Sequence, residues 1–218
     1  MSSSKLLQNL HWLGHDSFRL DGPPVIYFDP WKLAPGSPVA DVILVSHDHY
    51  DHLSVDDVKS ISGSKTVVIA NPTAAAKLPG ARVIRPGEKL SVGDVTVEAV
   101  TAYNTNKFRS PGVVFHPKDA EHNGYIVTVK GERLYHSGDT DHIPEMSGYK
   151  CDVALLPVSG TYVMTADEAA KAAMTIKPGI AVPMHYGDKD VVGTDADAKR
   201  FKKLCEQAGI EVAILPRR

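Results

Sequence analysis

The stretch SHDHYDH, residues 46–52, follows the apolar run VILV at residues 42–45 and decides how the rest of the chain is interpreted. Three histidines and two aspartates within six positions are not explained by packing, because such side chains are rarely buried without partners. Imidazoles and carboxylates together are ligands for a borderline divalent cation such as Zn²⁺. The stretch therefore predicts a metal site at the carboxyl end of a strand.

The spacing of these side chains indicates two ions. Residues two apart share one face of an extended chain, so His47 and His49 can hold one ion together. Asp51 and His52 are adjacent, so the backbone must turn to bring both to a second ion. SVDD at residues 54–57 supplies a helix-start signal just beyond that turn, with Ser54 as the N-cap and Asp57 at the third helical position. The alternative, a surface loop without metal, explains such dense spacing at a strand end less well.

The motif His47-x-His49-x-Asp51-His52 resembles the signature of the metallo-β-lactamase-fold hydrolases. The resemblance covers most of the chain, from WLGH at residues 12–15 onward, and is greatest to a branch of small prokaryotic metal-dependent hydrolases. It implies an α/β fold, the four-layer αββα sandwich, and an enzyme that uses two divalent metal ions. Zn²⁺ is the expected metal, with Mn²⁺ or iron as alternatives.

The resemblance also implies ligands at two other strand ends. Asp139, in SGDTDH, matches the carboxylate that bridges both ions in the family. Taken alone it would be a turn-capping aspartate. His185, in PMHYG, matches the histidine that completes the ligand set of the second ion together with Asp51 and His52. His136 is expected to pack in the strand or to support a ligand.

The chain departs from the family pattern after the strand expected over residues 95–100. Many relatives place a histidine ligand there, whereas this chain has Asn104, and asparagine is a poor zinc ligand. The sequence His116-Pro117-Lys118 resembles the one found at this place in the branch of small prokaryotic hydrolases, and we expect His116 to complete the ligand set of the first ion. His122 is the alternative. His15 matches a histidine near the site in related proteins and is expected to support a ligand, direct ligation being the alternative.

The expected reaction is hydrolysis of a small ester, lactone, amide or phosphodiester through a metal-bound hydroxide. Two ions roughly 3.5–4 Å apart lower the pKa of a shared water and polarise the substrate oxygen. Asp51 or Asp139 is expected to accept the proton of the water, and His142, His15 or Tyr103 to assist the leaving group.

The irregular segment over residues 101–123 also carries two cations. Lys107 and Arg109 lie there and either hold an anionic substrate or merely solubilise the surface. Asn104 and Tyr103 belong to the same substrate-facing segment.

The charge, apolar runs and cysteine content of the chain limit the classes of protein to which it can belong. A net charge of −2 without a basic stripe argues against a large nucleic acid. There is no run of eighteen apolar residues and no apolar signal segment after MSSSK, so we expect no membrane span. Two cysteines, Cys151 and Cys205, lack C-x-x-C partners and favour the reduced cytoplasm. One domain over residues 1–218 is expected, and the oligomeric state stays open.

Three alternative functions remain open. A nucleotide or RNA phosphodiesterase shares the motif, an iron-dependent oxidoreductase can use the same ligands, and a binding module with a vestigial site is conceivable because of Asn104.

Apolar periodicity, turn residues and helix caps predict the remaining elements. Strands are expected over residues 9–13, 17–20, 25–28, 42–45, 65–70, 83–84, 88–92, 95–100, 124–129, 133–136, 153–157, 180–184 and 212–215. Helices are expected over 55–60, in a short segment from 71, and over 165–176 and 194–207. Residues 101–123 show almost no period.

Overall fold

The computed structural model describes residues 4–218, which form fifteen β-strands and five α-helices. The strands are β1 (Leu10–Gly14), β2 (Ser17–Leu20), β3 (Ile26–Phe28), β4 (Ala40–Val45), β5 (Ser62–Ala70), β6 (Arg82–Val83), β7 (Lys89–Val92), β8 (Val95–Thr101), β9 (Phe108–Ser110), β10 (Val113–Val114), β11 (Asn123–Val129), β12 (Glu132–His136), β13 (Val153–Pro157), β14 (Ile180–Met184) and β15 (Glu211–Val212). The helices are α1 (Lys5–Asn9), α2 (Val55–Ser60), α3 (Pro72–Ala75), α4 (Ala166–Ile176) and α5 (Asp195–Gln207).

Thirteen of these strands form two mixed sheets. The first has the order β1-β2-β3-β4-β5-β6 and the second the order β15-β14-β13-β12-β11-β8-β7. Neighbours are parallel from β3 to β6 and from β12 to β15, and antiparallel elsewhere. β9 and β10 form a separate hairpin. The parallel halves gather strand carboxyl ends, where loops carrying functional side chains meet.

Alternation along β4 divides its side chains between two cores. Val42 and Leu44 belong to the core shared with the second sheet, whereas Ile43 and Val45 belong to a smaller core with residues of α2 and α3. On the far side of the molecule, α4 and α5 pack on β13 and β14. The layers are therefore helix, sheet, sheet and helix, and the expected αββα sandwich is confirmed.

Most elements fall where the sequence pattern predicts them. The bounds of α2, β2, β13 and β14 match, and α4 opens with the predicted capping box between Thr165 and Glu168. The short helix α1 was not predicted. The segment over residues 101–123 is not wholly irregular, since it contains the β9–β10 hairpin.

The described part of the chain contains no helix with both the length and the apolar character that a bilayer crossing requires. Residues 1–3, part of the start for which no signal segment is expected, lie outside the described range.

Candidate metal centre

The candidate site lies where strand ends of both sheets meet. His47 and His49 follow β4, Asp139 follows β12, and His185 follows β14. His116 reaches the same place from the segment between β10 and β11. Their donor atoms belong to two converging groups, here called the first donor group (His47, His49, His116 and Asp139) and the second donor group (His15, Asp16, His52 and His185).

The first donor group consists of three imidazole nitrogens and one carboxylate oxygen. His49 Nδ1 lies 3.0 Å from His47 Nε2 and 3.2 Å from His116 Nε2. Asp139 Oδ2 lies 3.2 Å from His116 Nε2 and 4.0 Å from His47 Nε2. Donors about 2.0–2.1 Å from a tetrahedral zinc lie roughly 3.3 Å from one another, so these spacings suit such an ion.

The imidazole of His47 is fixed with its free nitrogen toward this group. Ser46 Oγ donates its only proton to Asp29 Oδ2, 2.6 Å away, and therefore accepts from His47 Nδ1 at 2.9 Å. The proton of His47 thus sits on Nδ1, and Nε2 presents a lone pair to the donor group. A partner on the far nitrogen commonly orients a metal-binding histidine in this way.

Asn104 does the same for His116. Its Oδ1 atom accepts from both the main-chain nitrogen and Nδ1 of His116, at 2.9 and 2.8 Å. Its amide nitrogen donates to Tyr162 O and Asp141 Oδ1, which settles the orientation of the amide. Asn104 stands where many relatives have a histidine ligand, and in this chain it orients His116, the histidine expected to act as the ligand instead.

His122 lies beside the first donor group without joining it. Its ring stacks on His47, with centroids 4.6 Å apart, and its Nδ1 atom has no partner among the described residues. Burial and the neighbouring rings of His116 and His49 lower the pKa of His122 to about 3. It is therefore a neutral packing neighbour, and the structure brings His116 rather than His122 to His49.

The second donor group gathers around His52. From its Nε2 atom, Asp139 Oδ1 lies 3.2 Å away and Asp16 Oδ2 lies 3.5 Å away. His185 Nε2 lies 3.5 Å from Asp139 Oδ1. Asp51 Oδ2 lies 4.0 Å from His52 Nε2. Asp139 thus directs one oxygen to each group, the arrangement expected of a bridging carboxylate.

The far nitrogens of this second pair of histidines are also held. His52 Nδ1 donates to Asp29 Oδ2 at 2.8 Å, and His185 Nδ1 lies 2.7 Å from Ser159 Oγ. Asp29 therefore orients His52 directly and His47 through Ser46.

The unpartnered atoms of the second group test whether a cation fits. His52 Nε2, His185 Nε2, Asp139 Oδ1 and both carboxylate oxygens of Asp16 are buried without a hydrogen-bond partner in the described chain. A buried polar atom without a partner costs free energy, and a divalent cation would compensate all of them together. The two groups therefore fit a pair of divalent cations that share Asp139.

The electrostatic environment differs between the groups. Burial and the neighbouring His52 lower the pKa of His47 well below its usual range, which keeps this ring neutral and able to ligate. Burial also opposes charge on His185, but the carboxylates of Asp139 and Asp16 outweigh it and raise the pKa of His185 to about 9. The second group thus stabilises positive charge.

Three residues at the site have a strained backbone. His15, Asp29 and His185 have φ angles of 52°, 42° and 61°, a left-handed region that side-chain-bearing residues rarely adopt. Gly138 has φ 58°, and a Cβ atom there would lie 2.6 Å from Asn123 O. Glycine is therefore required for the turn that presents Asp139.

His15 and Asp51 form a pair at the edge of the second group. Burial opposes ionisation of Asp51, but neighbouring His52 and the hydrogen bond from His15 lower its pKa to about 2. The ionised carboxylate therefore accepts from His15 Nε2 at 3.1 Å. His15 also packs against His185, with ring centroids 4.0 Å apart, and is itself a member of the second donor group.

Three candidates from the sequence do not line the cleft at the metal centre. His142 Nε2 is hydrogen-bonded with Thr175 Oγ1 of α4, and Tyr103 Oη donates to Glu145. Lys107 Nζ pairs with Glu168 of α4. The structure therefore gives no support to leaving-group assistance by His142 or Tyr103, or to substrate binding by Lys107.

His136 supports the second group through the main chain, as anticipated. Gly138 N donates to His136 Nδ1, so the ring proton lies on Nε2 and is donated to Asp16 O at 2.8 Å. The ring also stacks on Phe28.

The sequence pattern does not single out three further side chains at the site, namely Asp16, Asp29 and Ser159. Asp29 immediately follows β3, the parallel neighbour of β4, and this position at a strand end was the available signal. Asp16 follows the candidate His15 directly, whereas nothing local marks Ser159.

Both donor groups open onto a cleft of about 480 Å³, which Asp51, Asp139 and His185 help to line. Its outer wall includes Tyr50, Arg109, Phe115, Tyr162 and Lys189.

Arg109 and Lys189 are exposed. Asp190, also in the wall, pairs with Lys32 instead, and neither Arg109 nor Lys189 enters an ion pair within residues 4–218. The guanidinium of Arg109 lies 5.8 Å from the ring centroid of Phe115.

Comparison with known proteins identifies the family of the chain. A family described as the β-lactamase superfamily domain matches residues 9–185. A UPF0173 metal-dependent hydrolase of Staphylothermus marinus is 35% identical over 219 residues, with 90% of each chain covered. Another, from Thermoplasma volcanium, is 32% identical with 93% of each chain covered.

Solved structures share the architecture. A Parabacteroides distasonis protein described as a metal-dependent hydrolase has a TM-score of 0.84 and 36% identity, covering 94% of this chain and 91% of its own. CmlA, a diiron β-hydroxylase of Streptomyces venezuelae, has a TM-score of 0.71 over 94% of this chain and 52% of its own, and at 14% identity it shows the fold alone. The chain therefore belongs to the β-lactamase superfamily and is one of its UPF0173 metal-dependent hydrolases.

Proposed function

We propose that this hydrolase works with two divalent cations, with zinc at the first donor group, and cleaves a small negatively charged ester, lactone, amide or phosphodiester. The observation that carries the proposal is the carboxylate of Asp139, whose two oxygens face different donor groups at the floor of one cleft. Two cations so placed supply an acidified water and polarise a substrate oxygen.

The residues of the chain have separate tasks in this scheme. Asp51 lines the cleft and accepts one hydrogen bond from His15, so its ionised carboxylate is placed to accept a hydrogen bond from a water molecule in the cleft. Hydrogen bonds from His15 and the strained backbone fix its surroundings before substrate enters, which lowers the reorganisation needed for reaction.

The size and the side chains of the cleft favour a small anionic substrate. Its volume of about 480 Å³ is in the range of sites for small molecules. Arg109 and Lys189, which have no ion-pair partners in the described chain, are placed to bind a carboxylate or phosphate, while Phe115 and Tyr162 offer apolar surface. The net charge of −2 gives no general attraction for a nucleic acid polymer.

Elemental analysis of untagged protein and a hydrolysis screen test this function together. We expect two metal ions per chain in the wild type and one in His52→Ala, because His52 belongs only to the second group. Substrates should be drawn from ester, lactone, amide and phosphodiester classes, each offered with and without a remote carboxylate. Hydrolysis that requires metal and prefers the charged member of a pair supports the proposal. One ion in both proteins, or a preference for the neutral member, contradicts it.

An iron-dependent oxidoreductase is the second candidate, because the second donor group is rich in carboxylates and such a set also suits iron. Iron at both positions, with oxygen consumption and no hydrolysis, would favour it.

A further inference from the structure

We propose that Asp16 is an additional ligand of the cation at the second donor group, so that the two cation positions differ in chemistry. The first position then offers three imidazoles and one carboxylate, and the second offers two imidazoles and three carboxylates, from Asp16, Asp51 and Asp139. This inference rests on the proposed two-cation function.

The state of the Asp16 side chain is the starting observation. It is fully buried, with 0% exposure, and neither carboxylate oxygen has a hydrogen-bond partner within residues 4–218. A buried carboxylate that stabilises a fold normally accepts hydrogen bonds from main-chain or side-chain donors. Asp16 therefore has no visible structural role that would explain its burial.

Other buried carboxylates in the molecule show the contrast. Asp29 accepts from Ser46 N at 2.7 Å, and Asp141 accepts from the main-chain nitrogens of Thr105 and Asn106 at 2.6 and 2.9 Å. The fold thus provides donors for its buried acids elsewhere. In Asp16 both carboxylate oxygens lack such donors, and it shares a donor group with His52 and His185, whose Nε2 atoms also lack partners within residues 4–218.

Distances from His52 Nε2 suit a shared six-coordinate cation. The carboxylate oxygens of Asp139, Asp16 and Asp51 lie 3.2, 3.5 and 4.0 Å from this nitrogen. Around an octahedral cation with bonds of about 2.1 Å, adjacent donors lie about 3.0 Å apart and opposite donors about 4.2 Å. All three distances from His52 Nε2 fall within that range, and Asp16 also belongs to the group of mutually converging donor atoms that contains His52 and His185.

The backbone holds Asp16 in place. Asp16 follows His15, whose φ of 52° makes a tight turn between β1 and β2, and its carbonyl oxygen accepts from His136 Nε2 at 2.8 Å. A strained turn that is fixed from the second sheet orients the side chain before a cation arrives. Such strain is typical of positions retained for function.

The donor sets predict a difference in metal preference. Three imidazoles with one carboxylate suit four-coordinate Zn²⁺, whereas several carboxylate oxygens suit harder cations of higher coordination number, such as Mn²⁺ or Fe²⁺. We therefore expect the second position to accept Mn²⁺ more readily than the first.

The test compares Asp16→Asn and Asp16→Ser with the wild type and with Asp41→Asn, in which an exposed carboxylate that accepts from Val25 N is replaced. The full chain is loaded with Zn²⁺ or Mn²⁺, and metal content and affinity are measured by elemental analysis and chelator competition. We expect both Asp16 variants to keep one tightly bound Zn²⁺, to bind the second ion at least tenfold more weakly, and to lose Mn²⁺. Asp41→Asn should retain both ions.

The outcomes separate this inference from the function on which it rests. Two ions bound at unchanged affinity in a folded Asp16 variant overturn the role of Asp16 and leave the two-cation function standing. A wild-type chain that binds one ion overturns the two-cation function itself. Circular dichroism shows whether each variant is folded, and retention of the first ion provides a second check, because a misfolded chain would lose both.

Discussion

The imidazoles of His47, His52 and His116 are each fixed by a partner on Nδ1, so that Nε2 faces the donor groups. The partners are Ser46, Asp29 and Asn104. Because each Nδ1 atom directs its proton to one of these partners, each Nε2 atom is left to face the donor groups.

The choice between His116 and His122 is the first prediction at this scale. His116→Ala should remove the ion at the first donor group and leave the second, because the His116 Nε2 atom belongs to the first group alone. His122→Ala should leave both ions in place, since His122 only packs beside His47. Elemental analysis of both variants measures this. Loss of metal in His122→Ala with none in His116→Ala would reverse the assignment.

Asp139→Asn is the second prediction. The substitution keeps the shape of the side chain but removes the charge that both donor groups share. We expect affinity for both ions to fall by tenfold or more, and the metal-induced rise in Tm to shrink accordingly, because binding to the folded state is itself stabilising. Thermal unfolding with and without chelator gives that rise for each protein. An unchanged rise would make Asp139 a turn residue only.

The candidate ligand positions at strand ends were largely accessible from the sequence, whereas the residues that orient them were not. His47, His49, Asp139 and His185 each follow a predicted strand, and the periodicity of apolar residues locates such strands. Asp16 was missed because its significance depends on the absence of partners, which only the folded chain reveals.

At the scale of elements, the segment between β8 and β11 determines the shape of the site. The sequence predicts it as irregular, because its hairpin strands are two and three residues long and show no periodicity. It is fixed by contacts with elements distant in sequence. Asp141 accepts from the main chain of Thr105 and Asn106, and Lys107 pairs with Glu168 of α4.

The missed helix α1 has a similar explanation. It is five residues long, too short for a helical period to be recognised, and Ser4 caps it by accepting from Leu6 N.

The pH dependence of the Lys107–Glu168 contact is the third prediction. Burial opposes ionisation of Glu168, but the hydrogen bonds from Lys107 and from Thr165 lower its pKa from 4.5 to about 2. The contact therefore stabilises the fold fully above about pH 4.5, and this stabilisation is lost as pH falls from 4.5 toward 2. Glu168→Gln should reduce the free energy of unfolding at pH 7, with a smaller deficit at pH 3.5.

Urea unfolding at pH 7, 5 and 3.5 measures this difference. Glu211→Gln is a control, since the exposed Glu211 side chain forms no ion pair or hydrogen bond within residues 4–218. A Glu168→Gln deficit that stays constant or grows at pH 3.5 would contradict the ion-pair explanation.

At the scale of the whole molecule, the shared core positions the two halves of the site. Core residues of β4, β8, β11 and β13 pack between the sheets, and Tyr125 Oη donates to Val45 O directly before the metal motif. Since one core joins both sheets, we propose that residues 4–218 form a single domain. The fold class followed from the family resemblance that the motif carries, with which the order of elements agrees, whereas the cleft wall depends on loop geometry that no local pattern encodes.

The cleft gives the last prediction. Arg109 and Lys189 lie on its wall from segments far apart in sequence, and neither has an ion-pair partner within residues 4–218. For an anionic substrate found in the screen, Arg109→Gln and Lys189→Gln should each raise KM several-fold with little change in kcat, because they bind a remote charge equally in the ground and transition states. The double variant should lose most of the preference for the charged substrate over the matched neutral one.

Lys118→Gln is the matched control and should behave as wild type, because the exposed Lys118 pairs with Glu145 outside the cleft wall. A fall in kcat at unchanged KM would place these cations at the reacting atoms, and equal effects on charged and neutral substrates would show that they do not recognise substrate charge.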